Sequence, residues 1–110
     1  MAEELYLPVP GVTAVLQHIF EAAGGAPDEA KRIADNLVEA SLTGHDSHGV
    51  VRTEKYVDWT AGGGVLFGKD ISIITDTDAF ALLDGNHGFG QTVGAQAVEH
   101  GILKAKQSCS

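Results

Sequence analysis

Basic residues are scarce in this chain. Seven Lys and Arg residues stand against fifteen Asp and Glu in 110 residues, which gives a formal net charge of −8 at pH 7. No segment gathers the basic residues into a stripe. Nucleic acids and anionic membrane surfaces are bound through concentrated positive charge. The sequence therefore predicts neither a nucleic-acid partner nor a membrane partner.

Cysteine and long apolar runs are also nearly absent. The single cysteine, Cys109, cannot form an internal disulfide, which suits a reducing compartment. The longest apolar stretches fall far short of the roughly 20 residues needed to span a bilayer. The opening residues Met1-Ala2-Glu3-Glu4 are acidic, whereas a secretory signal begins with basic residues. We therefore expect a cytoplasmic protein, and its length leaves room for one small domain.

Apolar residues at helical spacing predict four helices. The first is expected over 11–23, after two prolines and before a Gly-Gly pair, and the second over 27–44, between a proline and a glycine. The third is expected over 47–59 or 48–59, and the fourth over 89–106. The second helix has the clearest apolar face, which we expect to lie in the core. This face consists of Ala30, Ile33, Ala34, Leu37, Val38 and Ser41.

Two short β-type runs, Ile71–Thr75 and Phe80–Leu83, are separated by Asp76-Thr77-Asp78, and this pattern predicts a hairpin or two neighbouring strands. The order of elements lacks the alternating βαβ units of a Rossmann domain. We therefore predict an α+β, mainly helical fold. In the fourth helix, Gly94 and Gly101 lie on a face of small residues. Because interior glycines weaken a helix, we expect them to permit close approach of another element.

The densest polar cluster begins at Gly44 and ends at Arg52, and Tyr56 follows it. His48, Arg52 and Tyr56 are spaced four residues apart, which predicts one stripe along the third helix. A histidine near a helix N-terminus tends to stay neutral and can relay a proton. Arginine offers a planar fork for a carboxylate, and tyrosine adds a hydroxyl. The stripe indicates a pocket for a small hydroxy or oxo acid, unless these residues are only surface neighbours and a helix cap.

Other chemistries fit the same segment less well. Ser47 suggests a hydrolase, but a nucleophile elbow requires glycine two residues earlier, where His45 stands. His45, Asp46 and His48 could bind a metal, yet no cysteine or histidine-rich partner lies near in sequence, and we predict no metal site. The segment 85–90 follows a strand and precedes a helix, as a phosphate loop does. Its glycine spacing differs from a dinucleotide fingerprint, so a tight turn is favoured.

The run over 33–50, with its block Gly44-His45-Asp46-Ser47-His48-Gly49, resembles the N-terminal signature of the malate/L-lactate dehydrogenase family. The resemblance continues through Tyr56, Leu83-Asp84-Gly85 and Gly88-Phe89-Gly90-Gln91, so it covers nearly the whole chain. It implies an oxidoreductase without a Rossmann fold that transfers hydride between NAD or NADP and a 2-hydroxy or 2-oxo acid, such as malate or lactate. It also implies a cytoplasmic homodimer.

The resemblance implies roles for His48, Arg52 and Tyr56. His48 matches the family histidine at the cofactor and substrate pocket, so we expect it to be catalytic and to contact the cofactor. Arg52 matches the arginine that binds the substrate carboxylate. Tyr56 lies on the same wall, and Ser47 beside them is expected to bind substrate as well.

The last residues, Gln107-Ser108-Cys109-Ser110, do not resemble the usual continuation of the family. That continuation carries a further histidine, expected to be the acid/base, and then the nucleotide-binding domain. We therefore expect residues 1–110 to be a single N-terminal segment that lacks the nucleotide-binding domain and is inactive alone. The alternative is a non-catalytic helical module that binds another protein.

Overall fold

Helices α1 (Val9–Ala22) and α2 (Pro27–Leu42) pack against each other and form the centre of the fold. The computed structural model describes residues 4–108, so Cys109 lies outside the described residues. Helix α1 begins two residues earlier than predicted, because proline is tolerated in the first turn of a helix. Leu16 and Phe20 carry its buried face.

Helix α2 follows its sequence prediction closely. The five apolar residues of the predicted face are buried, and Ser41 lies half-buried at their edge. Pro27 occupies the first helical position, where its missing N–H costs nothing. Gly44 follows the end of the helix with φ +87°, in the left-handed region that glycine adopts without strain.

The predicted third helix is wrong in its first half. Two short 3₁₀ turns, Asp46–His48 and Val50–Arg52, precede helix α3 (Thr53–Ala61). Gly49 separates the turns with φ −100° and ψ −145°, which is not helical. The cause is a tertiary contact, since the Val50 N–H donates to Ser41 Oγ at 3.0 Å and is therefore not available to continue a helix.

The predicted hairpin is confirmed. Strands β1 (Ser72–Asp76) and β2 (Ala81–Asp84) pair antiparallel, with Ile73 opposite Leu83 and a register shift before Thr75. A side-chain turn closes the loop, because Thr77 Oγ1 accepts hydrogen bonds from the amides of the two residues before β2. The fold is therefore α+β and mainly helical, as predicted.

Helix α4 (Gly90–Ser108) lies along the hairpin and is fastened to it by polar contacts. Gln96 donates to Asp70 Oδ1 at 2.7 Å and accepts from the Ile71 amide at 2.8 Å. Lys104 forms an ion pair with Asp76 farther along the helix. None of the helices within residues 4–108 is both long and apolar enough to cross a membrane.

The two interior glycines of α4 are not closely packed against any part of residues 4–108. A Cβ atom added at Gly94 or at Gly101 would have no heavy atom within 4 Å. No element of residues 4–108 therefore makes the close approach that we expected at these glycines.

Glu29 joins three parts of the chain and is 5% exposed. Its Oε1 accepts the Gly68 amide at 2.7 Å, and its Oε2 accepts the Thr92 hydroxyl. Arg32 donates to the same Thr92 oxygen at 2.9 Å. This carboxylate therefore fixes the start of α4 and the loop before the hairpin to α2.

Candidate active site

The polar cluster of the sequence forms a turn between α2 and α3, which we call the site turn (residues 45–52). Backbone and side-chain contacts with α2 hold it in place. The His45 amide donates to the Ala40 carbonyl at 2.8 Å, and Ser41 Oγ holds the Val50 amide. Gly49 is buried against Ser41, whose Oγ would lie 2.0 Å from an added Cβ. Only glycine allows the site turn to lie this close to α2.

Three of the four predicted site residues come together on this turn. Arg52 Nε donates to the Ser47 carbonyl oxygen at 2.7 Å. Ser47 Oγ lies 3.0 Å from His48 Nδ1, within hydrogen-bond distance. The His48 ring packs against the His45 ring, with centroids 4.2 Å apart. Ser47 and His48 are exposed, whereas Arg52 is half-buried.

The prediction that His48, Arg52 and Tyr56 form one helical stripe is wrong. His48 belongs to the first 3₁₀ turn, and the non-helical Gly49 interrupts the periodicity before Arg52. Arg52 directly precedes α3, and Tyr56 follows one helical turn later. The hydrogen bond between Arg52 and Ser47, rather than helical spacing, brings the arginine to the histidine turn.

The terminal amino groups of Arg52 have no hydrogen-bond partner among residues 4–108. Within residues 4–108 its side chain makes one hydrogen bond, through Nε, so both terminal amino groups remain available. A fork of two parallel N–H donors matches the geometry of a carboxylate. The site turn therefore places an arginine with two available terminal amino groups in the same turn as a histidine.

Tyr56 is placed differently from the other three predicted residues. Its half-buried ring stacks on Trp59 at a centroid distance of 5.7 Å and touches Phe20 and Phe89 at 6.3 and 5.8 Å. Its hydroxyl accepts a hydrogen bond from Gln91 Nε2 at 3.4 Å. The ring is therefore part of the aromatic edge of the core, and only the hydroxyl is polar.

Gln91 and Asn36 were not predicted as site residues, although they border a cavity of about 340 Å³ with Tyr56 and Gly90. Gln91 Nε2 also donates to Asn36 Oδ1 at 3.1 Å. One signal was present in the sequence, because Gln91 closes the glycine segment that carries the family resemblance. Nothing in the exposed position of Asn36 on α2 distinguished it from a surface residue.

The glycine segment over 85–90 is a tight turn, as predicted. Asn86 and His87 have φ values of 55° and 61°, and the Asn86 amide donates to Asp84 Oδ1 at 2.8 Å. The Gly88 amide donates to the Gly85 carbonyl at 2.9 Å. These amides are used inside the turn, so they are not free to hold a phosphate.

The described part of the chain contains no set of side chains that could bind a metal ion. Across residues 4–108, no three His, Cys, Asp or Glu side chains are grouped so that they could hold a metal ion. The neighbouring rings of His45 and His48 are thus not joined by a third ligand there.

Comparison with known proteins places the chain among dehydrogenases. Residues 8–110 match the malate/L-lactate dehydrogenase family, and the chain belongs to this family. It is 38% identical over 108 residues to malate dehydrogenase of Pyrococcus abyssi, covering 96% of the chain and 30% of that relative. It is 37% identical over 92 residues to hydroxycarboxylate dehydrogenase B of Escherichia coli O157:H7, covering 84% of the chain and 26% of the relative.

A solved structure gives the same result for the fold. The malate dehydrogenase of Pyrococcus horikoshii superposes with a TM-score of 0.84 at 36% identity, over 98% of this chain and 33% of the other. The chain thus spans between a quarter and a third of the length of the relatives it matches.

Proposed function

We propose that this chain supplies the substrate-binding part of an NAD- or NADP-dependent 2-hydroxyacid dehydrogenase. In this proposal Arg52 binds the substrate carboxylate, and His48, with Ser47, faces the hydroxyl or carbonyl group. The observation that carries the proposal is the bond from Arg52 Nε to the Ser47 carbonyl, which leaves the terminal amino groups free beside His48. Family membership favours a dehydrogenase over the non-catalytic module that the sequence left as an alternative.

Fixing Arg52 through Nε prepares it for binding. A guanidinium held on one edge loses less side-chain freedom when a ligand binds to its other edge. The bidentate pair with a carboxylate then sets the orientation of the substrate as well as its affinity. The 2-oxo or 2-hydroxy group is adjacent to that carboxylate, so its position is set at the same time.

His48 and Ser47 provide the proton chemistry of the proposal. When Ser47 Oγ donates to His48 Nδ1, the neutral ring carries its proton on Nε2. Nε2 can then donate to a substrate carbonyl oxygen and stabilise negative charge that develops there. The neighbouring His45 ring restricts the rotation of His48.

A nicotinamide cofactor supplies or accepts the hydride when it is bound. The exposed His48 ring fits a contact with its nicotinamide end, whereas the Asn86 and Gly88 amides of the glycine turn are used within the turn and do not serve its phosphates. We therefore propose that the contacts with the cofactor phosphates come from the part of the longer family proteins that this chain does not match. We further propose that the complete enzyme is a cytoplasmic homodimer acting on malate, lactate or a related hydroxycarboxylate.

The test joins this chain to the portion of hydroxycarboxylate dehydrogenase B that it does not match. Arg52→Ala should raise the KM for 2-oxo acids about ten- to hundredfold, because a charge-assisted hydrogen bond contributes about 1.5–3 kcal/mol. Lys55→Ala removes a positive charge one turn into α3 and is the matched control, with an unchanged KM. An unchanged KM for Arg52→Ala, or a folded chimera that reduces no 2-oxo acid, would contradict the proposal.

A further inference from the structure

We propose that Gln91 is a positioning residue that fixes the hydroxyl group of Tyr56 as a hydrogen-bond donor toward the substrate. This inference rests on the proposed function, which places Tyr56 on the wall of the substrate pocket. It deepens that function by naming the residue that determines which way the tyrosine hydroxyl points.

The amide of Gln91 presents its nitrogen to Asn36. Gln91 lies in the first turn of α4, and its Nε2 is 3.1 Å from Asn36 Oδ1. A carbonyl oxygen can only accept, so the group facing it must be the NH₂ of Gln91. The same nitrogen reaches Tyr56 OH at 3.4 Å with its second hydrogen.

This arrangement decides the role of the tyrosine hydroxyl. Because Gln91 Nε2 only donates, Tyr56 OH must accept from it, and the hydroxyl hydrogen must point elsewhere. Within residues 4–108, Tyr56 OH has no second hydrogen-bond partner. The aromatic rings of Phe20, Trp59 and Phe89 hold the tyrosine ring, so rotation of the O–H bond is the freedom that remains.

The hydroxyl hydrogen of Tyr56 needs a hydrogen-bond acceptor, and a ligand in the adjoining cavity could provide one. This cavity of about 340 Å³ is bordered by Asn36, Tyr56, Gly90 and Gln91, and carries no side chain at Gly90. A carbonyl or carboxylate oxygen of a 2-oxo acid is an acceptor of the required kind. Gln91 would therefore favour an oxygen acceptor at this point and disfavour a ligand that presents a donor there.

The experiment follows the 110-residue chain by NMR, with uniform ¹⁵N labelling and pyruvate as the probe. Tyr56→Phe should shift the side-chain amide signals of Gln91, because it removes the acceptor of one of their hydrogens. Gln91→Leu should weaken pyruvate binding about two- to tenfold, the range expected for one hydrogen bond. Tyr56→Phe should weaken it by a similar factor, and the double variant no further.

The control variant is Gln107→Leu, an exposed glutamine near the far end of the same helix, which should leave pyruvate binding unchanged. Unchanged Gln91 signals in Tyr56→Phe, or additive losses in the double variant, would overturn the inference. So would a Gln91→Leu chain that binds pyruvate normally while Arg52→Ala and Tyr56→Phe do not. If neither of those two variants weakens binding, the proposed function fails together with this inference.

Discussion

The core and the arm of this molecule, the arm being β1, β2 and α4, are held together by different forces. Every buried apolar side chain among residues 4–108 belongs to α1, to α2 or to Phe89. In the arm, no apolar side chain within the described residues is fully buried, and several stay exposed, as Val98 does at 63% and Ile74 at 59%. Within the arm, hydrogen bonds and an ion pair join α4 to β1 and to the residues just before it instead.

The shape of the chain reflects this division. Its Cα radius of gyration is 16.6 Å, against about 13 Å for a compact domain of this length. The site turn is attached to the core side, where close packing against α2 fixes its geometry. The comparison indicates that the stability of the site turn depends on shape complementarity in the core, and that the docking of the arm depends on directional polar contacts.

Truncating one leucine in each region should give the largest difference. Leu37 is fully buried, so Leu37→Ala should lower the free energy of unfolding by about 2–5 kcal/mol. Leu103 on α4 is 54% exposed, and Leu103→Ala should change it by less than about 1 kcal/mol. Urea unfolding of both variants measures the difference, and equal losses would show that the arm is packed as tightly as the core.

Adding one methyl group in each region should give opposite signs. In Gly49→Ala the new Cβ meets Ser41 Oγ at 2.0 Å and the Ser41 amide nitrogen at 3.0 Å, so we expect a loss of about 1–3 kcal/mol. In Gly94→Ala the Cβ meets nothing within 4 Å, and helix propensity should add up to about 1 kcal/mol. Thermal unfolding of the two variants provides the measurement. A Gly49→Ala chain as stable as the unmodified one would contradict the close approach of the site turn to α2.

The smallest expected effect is a pH dependence located in the arm. The hydrogen bond from Lys104, with a smaller contribution from nearby His100, holds the pKa of Asp76 below its usual value of 3.8. A carboxyl whose pKa is lower in the folded state stabilises the fold above its unfolded pKa and loses that contribution as the pH falls below it. Asp76→Asn should therefore reduce the loss of stability between pH 6 and pH 3.

Urea midpoints at the two pH values check this prediction. Asp58→Asn, which removes an exposed carboxyl on α3 outside the arm, is the control and should keep the loss seen in the unmodified chain. If Asp76→Asn and the control lose stability equally on acidification, the ion pair does not hold the arm.

Local pattern was sufficient to predict the elements that depend on neighbouring residues. The apolar face of α2 and the hairpin were predicted because both follow from periodicity and turn chemistry. The third helix was predicted too long, since its periodicity continues through Gly49 while the break is caused by Ser41 on another element. No pattern within a short window reports such a contact.

The site was predicted in composition but not in geometry. Ser47, His48 and Arg52 do meet, but through a hydrogen bond from a side chain to the backbone rather than by helical spacing. Gln91 was missed because it reaches Tyr56 from 35 positions away in sequence. The role of Glu29 was not predicted either, because it depends on burial and on hydrogen bonds to residues far away in sequence.

Glu29 also brings together the two ends of the segment that contains the hairpin. Its two oxygens hold Gly68 and Thr92, so the segment that contains the whole hairpin is pinned at both ends by one carboxylate. Closing a flexible loop costs only about 0.6 kcal/mol more when its length doubles. The hairpin turn can therefore lengthen at little entropic cost, whereas replacing this single acidic residue would remove one hydrogen bond from each end of the segment at once.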